Sequence, residues 1–281
     1  MELTPRAVIL IVITVLLFVG FLFYLFRRRP LGKLMPFKRK WRKLLKQHVA
    51  FYGHLSKEER KRFEERMRHF FRRVQITGIE TEVTELDRVL VAASGIIPTF
   101  GFEKWNHYPR LREVLLYRTH FRQGDFATEG TDRRVAGMVG GGSLNGKLLL
   151  SRPSLHQGFK NAGRSNTGIH EFVHLLDKAD GDTDGIPEYF MENTYVIPWL
   201  EMIRSEMEAI ERGESDIDDY ATTNKAEFFA VVSEYFFNRP AAFADKHPRL
   251  FALLERVFDQ DMDDDGGVGT VGGERVKLVK S

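Results

Sequence analysis

Two histidines four residues apart, His170 and His174, enclose a glutamate in the segment His-Glu-Phe-Val-His. Residues at this spacing lie on the same face of a helix, so both imidazoles can reach one metal ion. Glu171 points away from that direction and can act as a general base on water held by the ion. This arrangement is typical of zinc hydrolases, and it indicates hydrolysis as the chemistry of the chain.

A zinc site of this kind needs a third protein ligand and leaves a fourth position for water. The chain has no cysteine, so only histidine and carboxylate side chains can supply that ligand. A helix predicted over about residues 223–238 carries two candidates, Glu227 and Glu234, among apolar neighbours. A carboxylate in such a setting needs a metal or a charged partner to stay ionised. Seven residues separate the two, so both lie on one helix face and periodicity does not choose between them.

Two sequence motifs resemble the Mlc titration factor A family of bacterial zinc peptidases. Residues 170–177 read HEFVHLLD, and residues 220–237 read YATTNKAEFFAVVSEYFF. The likeness also includes residues 41–46, 51–52, 55–60 and 108–111, and it covers roughly residues 37–260. The two motifs alone look like the catalytic domain of anthrax lethal factor as well, a more distant zincin.

The resemblance implies a role for each candidate residue. His170, His174 and Glu227 are then the ligands of one Zn²⁺ ion, Glu171 is the general base, and Tyr220 places its phenol near the developing oxyanion. It also implies a peptide or protein substrate, with a sugar-responsive transcriptional repressor as a further partner. From spacing alone, Tyr220 could instead be a packing residue at a helix end.

Two carboxylates near the motifs are candidates for supporting the ligands. Asp177 follows His174 by three residues and could accept a hydrogen bond beside the site, or face solvent at the helix end. Glu234, if it is not a ligand, has a supporting or structural role. Residues 180–185 mimic part of a calcium loop, but Met191 stands at the twelfth position where such loops carry glutamate. A turn is therefore the better interpretation of that segment.

The N-terminal segment Ala7–Phe26 is a run of twenty almost entirely apolar residues. A helix of that length spans a hydrocarbon core of roughly 30 Å. The segment has no polar face, which argues against a buried helix of a soluble domain. It is longer than the apolar region of a signal peptide, and no cleavage-like site follows it. We therefore predict one transmembrane helix over residues 7–26.

Ten basic and no acidic residues lie in residues 27–46, directly after this helix. The positive-inside rule then places the rest of the chain in the cytoplasm, as a single-pass membrane protein. Because the whole chain carries +3 and this segment +10, the remainder carries −7. We expect this basic segment, whose residues 27–38 form a linker after the membrane helix, to contact anionic lipid. Nucleic-acid binding is the less favoured interpretation, and no such partner is expected.

Helix and strand signals fill most of the remaining chain. The predicted helices cover Trp41–His54, a segment that begins at Ser56, another that begins at Thr84, Asn166–Lys178, Pro187–Arg212, Thr223–Asn238 and His247–Phe258. The predicted strands cover residues 75–83, 113–119 and 147–151, with a glycine-rich turn region at Gly137–Gly146. Peptidases of this type commonly bind substrate along an edge strand, but the sequence does not identify that strand.

These elements predict an α+β fold, a zincin-like metallopeptidase domain that is mainly helical with a small sheet, preceded by the membrane helix. We place the domain at residues 39–260 and a disordered tail at 261–281. The function indicated is a membrane-anchored zinc metallopeptidase. The alternative is a non-catalytic protein that uses the same fold to sequester a transcriptional regulator at the membrane.

Overall fold

A computed structural model describes residues 6, 13–20, 34–103, 108–121, 137–139, 145–160, 165–179, 181–187, 191, 193–262 and 268–269. The chain divides into two compact units, residues 1–33 and 34–281. In the first unit, residues 13–20 are helical, and the rest of the predicted membrane helix Ala7–Phe26 lies outside the described residues. No helix in the described part of the chain is long and apolar enough to cross a membrane.

The second unit is mainly helical with a small mixed sheet, as predicted. Its helices are α1 (Arg39–His48), α2 (Ala50–His54), α3 (Lys57–Arg73), α4 (Glu85–Ile96), α5 (Arg152–Gly158), α6 (Thr167–Asp177), α7 (Asn193–Glu211), α8 (Lys225–Asn238), α9 (Pro240–Lys246) and α10 (Pro248–Phe258). Short 3₁₀ turns cover Ile97–Thr99 and Asp219–Thr222. The strands are β1 (Gln75–Ile79), β2 (Glu113–Tyr117), β3 (Gly137–Val139), β4 (Lys147–Ser151), β5 (Asp261–Met262) and β6 (Val268–Gly269).

The main sheet has the strand order β1-β2-β4-β3. The strands β1, β2 and β4 are parallel, and β3 pairs antiparallel with β4, with Met138 opposite Leu149. The prediction of a turn region over Gly137–Gly146 was wrong for residues 137–139, which form this edge strand. A strand of three residues that begins with glycine carries too little apolar alternation to be recognised in the sequence.

Helix α6 carries the His-Glu-Phe-Val-His segment and is buried by its neighbours. Asn166 caps its start, because the Asn166 side chain accepts a hydrogen bond from the Ile169 N–H at 3.1 Å. Phe172 on α6 is fully buried and packs directly on α4. A Cβ atom at Gly95 would lie 2.8 Å from the Phe172 ring, so glycine allows this close approach of the two helices. These apolar contacts therefore fix the position of α6 and of the histidines that it carries.

The helices predicted to begin at Ser56 and Thr84 both start with a capping box. The Ser56 hydroxyl accepts from Glu59 N–H at 3.3 Å, and the Glu59 carboxylate accepts from Ser56 N–H at 2.8 Å. Thr84 and Asp87 make the same pair of bonds at 3.2 and 2.7 Å. These reciprocal bonds satisfy backbone donors at the starts of α3 and α4.

Several element boundaries differ from the predictions. The helix expected over Trp41–His54 is interrupted at Val49, whose backbone is extended, and it forms α1 and α2. The helix expected from Pro187 begins at Asn193. Helix α8 does end before Pro240, but Pro240 also opens α9, because proline is tolerated at the first position of a helix.

Part of the tail predicted to be disordered is paired. Residues 261–262 form β5, which pairs antiparallel with β6, and Met262 is buried. The burial of Met262 and the hydrogen bond that its N–H donates to Glu255 at 3.1 Å hold these residues against the domain. The other tail residues, 263–267 and 270–281, lie outside the described residues.

Candidate metal centre

Helices α6 and α8 bring His170, His174 and Glu227 together at one point. The Nε2 atoms of the two histidines are 3.1 Å apart. Glu227 Oε2 is 3.0 Å from His170 Nε2 and 3.4 Å from His174 Nε2. One ligand atom from each residue thus lies within 4.8 Å of the others. The three predicted ligands form a compact donor set at the wall of a cleft of about 850 Å³.

This donor set fits a divalent ion such as zinc. Ligand atoms about 2.0–2.1 Å from a tetrahedral ion lie about 3.3 Å from one another, close to the three separations observed here. Two imidazole nitrogens and one carboxylate oxygen are also a ligand combination found in catalytic zinc sites. These three residues could therefore hold the ion, and the cleft leaves room for water and substrate beside it.

Glu234 lies on the other side of the same imidazole. Its Oε1 is 2.5 Å from His170 Nδ1, and its Oε2 accepts a hydrogen bond from the backbone N–H of Asn166. The contact with His170 favours the tautomer that carries its proton on Nδ1, which leaves Nε2 as a lone pair directed at Glu227 and His174. The structure thus places Glu227 among the candidate ligands and Glu234 behind His170.

The lone pair of His170 Nε2 and the carboxylate oxygen of Glu227 face each other, so a positive charge at this point is stabilising. Burial alone would lower the pKa of His170, but its contacts with Glu227 and Glu234 outweigh burial and raise that pKa to about 10. Burial would likewise raise the pKa of Glu227, but its bonds to His170 and His174 lower it to about 2. A proton on the imidazole or a metal cation supplies the charge that this set of atoms requires.

Glu171 projects beside the ligands and is almost fully buried, with 6% of its surface exposed. Burial raises the pKa of Glu171 to about 7, with the His170 charge opposing the rise and Glu227 and Glu234 adding to it. A carboxylate with such a pKa is suited to accepting and returning a proton near neutral pH. The predicted base therefore stands in the cleft, but not among the donor set.

Strand β3 passes directly over Glu171. A Cβ atom at Gly137 would lie 2.6 Å from Glu171 Cγ, so only glycine lets the strand approach this closely. The sequence interpretation did not include Gly137 in the site. Its signal was the glycine-rich stretch itself, since glycine within a strand often marks close backbone approach.

Tyr220 lies in the 3₁₀ turn Asp219–Thr222 that precedes α8. Its ring centroid is 6.2 Å from that of His170, and the side chain lines the cleft with 53% of its surface exposed. Burial, followed by the charges of Glu227 and Glu171, raises the pKa of Tyr220. The phenol therefore remains a hydrogen-bond donor at neutral pH.

Asp177 is fully buried at the end of α6. Its described hydrogen bonds come from the backbone N–H of Gly185, at 3.1 and 3.0 Å. The alternative interpretation, a carboxylate facing solvent, was therefore wrong. Asp177 therefore holds the loop after α6. This role depends on where Gly185 lies in the folded chain, so the sequence carried no signal for it.

Sequence comparisons agree with the motifs. The family model for glucose-regulated metallo-peptidase M90 matches residues 24–259. An uncharacterized protein of Synechocystis is 28% identical over 236 residues, which are 79% of this chain and 84% of that protein. Mlc titration factor A of Klebsiella pneumoniae is 27% identical over 228 residues, 76% of this chain and 83% of that protein. Mlc titration factor A of Salmonella arizonae is 30% identical over 203 residues, 68% and 78% of the two chains.

Proposed function

The chain belongs to the family of glucose-regulated metallopeptidases M90, and from this membership we propose that it is a zinc-dependent peptidase. The observation that carries the proposal is the convergence of His170 Nε2, His174 Nε2 and Glu227 Oε2 beside a buried Glu171. That combination supplies three ligands and a base in one cleft.

Each residue has a distinct part in the proposed reaction. Zinc held by His170, His174 and Glu227 would lower the pKa of a water molecule and polarise the scissile carbonyl. Glu171 accepts the proton of the attacking water and later passes it to the leaving amine. Tyr220 donates a hydrogen bond to the carbonyl oxygen as that oxygen gains negative charge.

We propose that the substrate is an extended peptide bound along β3. This strand is at the edge of the sheet and lines the cleft through residues 137–139. Backbone groups of an edge strand can pair with those of a peptide, which would hold the scissile bond beside Glu171.

We further propose that the protein works at a membrane, with residues 7–26 as the anchor and the peptidase domain in the cytoplasm. The apolar segment and the ten basic residues after it support this proposal. The relatives named Mlc titration factor A are, by that name, proteins that titrate Mlc. A regulatory protein bound by this chain is therefore a second proposed partner.

Replacement of Glu171 by Gln tests the proposed function in the full-length protein. Loss of the general base should lower the rate of peptide hydrolysis at least about 100-fold, while the zinc content stays the same. Glu201→Gln, an exposed change on α7, is the matched control and should leave the rate unchanged.

The same variant separates the two proposals. If Glu171→Gln hydrolyses peptides at the rate of the unaltered protein, the peptidase mechanism is wrong. If it loses hydrolysis but keeps the full cellular effect of the protein, sequestration of a regulator is the function that matters.

A further inference from the structure

The position of Glu227 depends on how the chain enters α8. Glu227 is the third residue of that helix, and its N–H is capped by the Asn224 side chain at 2.9 Å. Helix ends open more readily than helix centres, so a ligand in the first turn needs support from outside its helix. His174, whose Nε2 is 3.4 Å from Glu227 Oε2, lies near the C-terminal end of α6.

Asp177 links the end of α6 to the loop that follows it. Both carboxylate oxygens accept from the single N–H of Gly185, at 3.1 and 3.0 Å. The Asp177 side chain is fully buried, and a hydrogen bond in such a low-dielectric setting is electrostatically stronger than one in water. Gly185 is therefore held at a fixed position relative to His174, three residues before Asp177.

Gly185 in turn packs against the first turn of α8. A Cβ atom on Gly185 would lie 2.2 Å from the carbonyl oxygen of Lys225 and 2.9 Å from the backbone nitrogen of Ala226. The φ angle of Gly185 is +78°, a conformation that side chains disfavour. Only glycine fits between the ends of the two helices, directly before Glu227.

Trp199 on α7 completes the contact. Its indole N–H donates to the Gly185 carbonyl at 2.7 Å, and the side chain is fully buried. The same ring packs against Phe228 and Phe229 of α8, with centroid distances of 6.3 and 5.7 Å. Gly185 is thus held through its N–H by α6 and through its carbonyl by a residue that also contacts α8.

We infer that Asp177, Gly185 and Trp199 form a clamp that positions Glu227 against His174 for metal binding. The inference rests on the proposed metal site and adds three positioning residues, which we name the Gly185 clamp. Each acts through the backbone at the start of α8. Mutation of residues that hydrogen-bond directly to metal ligands typically weakens metal binding by about 10–100-fold, and because this clamp holds Glu227 only through the backbone we expect an effect at the lower end of that range.

The test is the zinc affinity of full-length variants, measured by competition with a chromophoric chelator. Gly185→Ala should weaken zinc binding at least about tenfold, because the new methyl group displaces the Lys225 carbonyl. Gly213→Ala is the matched control, since Gly213 also has a positive φ angle (+70°) but open space around a Cβ atom. Its zinc affinity should stay within about twofold of the unaltered protein.

Thermal unfolding with excess chelator separates positioning from loss of folding. Trp199→Phe keeps an aromatic ring but removes the hydrogen bond to Gly185. This variant should fold, and it should bind zinc several-fold more weakly than the unaltered protein. Zinc should then raise its unfolding temperature less than that of the unaltered protein. Unchanged zinc affinity in folded Gly185→Ala and Trp199→Phe would overturn the clamp while leaving the metal site intact. A folded, unaltered protein that binds no zinc would overturn both.

Discussion

The imidazole of His170 explains why sequence periodicity could not choose between Glu227 and Glu234. The two glutamates lie on the same face of α8, and the structure uses both, one on each nitrogen of that ring. Glu227 faces the same point as His174, whereas Glu234 contacts the opposite side of His170. The family resemblance assigned Glu227 as the ligand because it carries the order of the motif, which spacing alone does not, and in the structure Glu227 lies beside both histidines.

Removal of the Tyr220 hydroxyl tests the proposed oxyanion donor. Tyr220→Phe should lower kcat for peptide hydrolysis about 100-fold, since loss of one such donor typically has that effect. Zinc content should not change, because Tyr220 is outside the donor set. Tyr195→Phe, which removes a hydroxyl bonded to Arg256 on the surface, is the control. A kcat for Tyr220→Phe within about twofold of the unaltered protein would show that the phenol has no part in the reaction.

At the scale of helices and strands, local signals were sufficient for some elements and insufficient for others. The predicted starts of α3, α4 and α6, at Ser56, Thr84 and Asn166, agree with the structure, because these side chains accept hydrogen bonds from backbone N–H groups in the first turn. Strand β3 had no such signal: its place at the sheet edge depends on pairing with β4 and on contact with Glu171. Its identity as the edge strand could only come from the folded structure.

Asp87 joins α4 to α5 and gives the fold a defined dependence on pH. It is fully buried, 3.0 Å from Arg152 Nε and 2.5 Å from His156 Nε2. Burial would raise its pKa, but hydrogen bonds from His156 and Thr84 and the charge of Arg152 lower the pKa to about 2. A lowered carboxylate pKa stabilises the fold above the unfolded value of about 3.9, and this contribution is lost as the pH falls towards 2.

Asp87→Asn should therefore lower the free energy of unfolding at pH 7 by about 2 kcal/mol. The difference from the unaltered protein should shrink as the pH falls from about 4 to 2, as measured by urea unfolding at a series of pH values. Asp245→Asn, an exposed change on α9, should show no such trend. A destabilisation by Asp87→Asn that is constant across this pH range would contradict the assigned pKa.

At the scale of the whole molecule, the family predicted from two short motifs is the family that the sequence comparisons show, over residues 24–259. The motifs indicated a zincin because metal chemistry constrains both residue type and spacing, and the matching segments upstream narrowed the resemblance to this family. The contact of Gly185, in the loop after α6, with the start of α8 could not be predicted, because it is a close backbone contact between segments forty residues apart. The proposed membrane anchor rests on residues 7–26 and the basic segment after it.

Cell fractionation tests the proposed anchor. The full-length protein should sediment with membranes and stay there in high salt, because an apolar helix, unlike basic residues alone, holds through hydrophobic burial. A variant without residues 1–33 should move to the soluble fraction and keep its zinc. Full-length protein that high salt releases would show that only the basic residues contact the membrane.

The zinc content of the purified full-length protein, compared with that of Glu227→Ala, tests the metal centre most directly. We expect one zinc ion per folded chain in the unaltered protein and a large loss in Glu227→Ala, because that change removes one of the three converging ligand atoms. A folded protein without zinc, or a Glu227→Ala variant with full zinc content and unchanged affinity, would contradict the assigned centre.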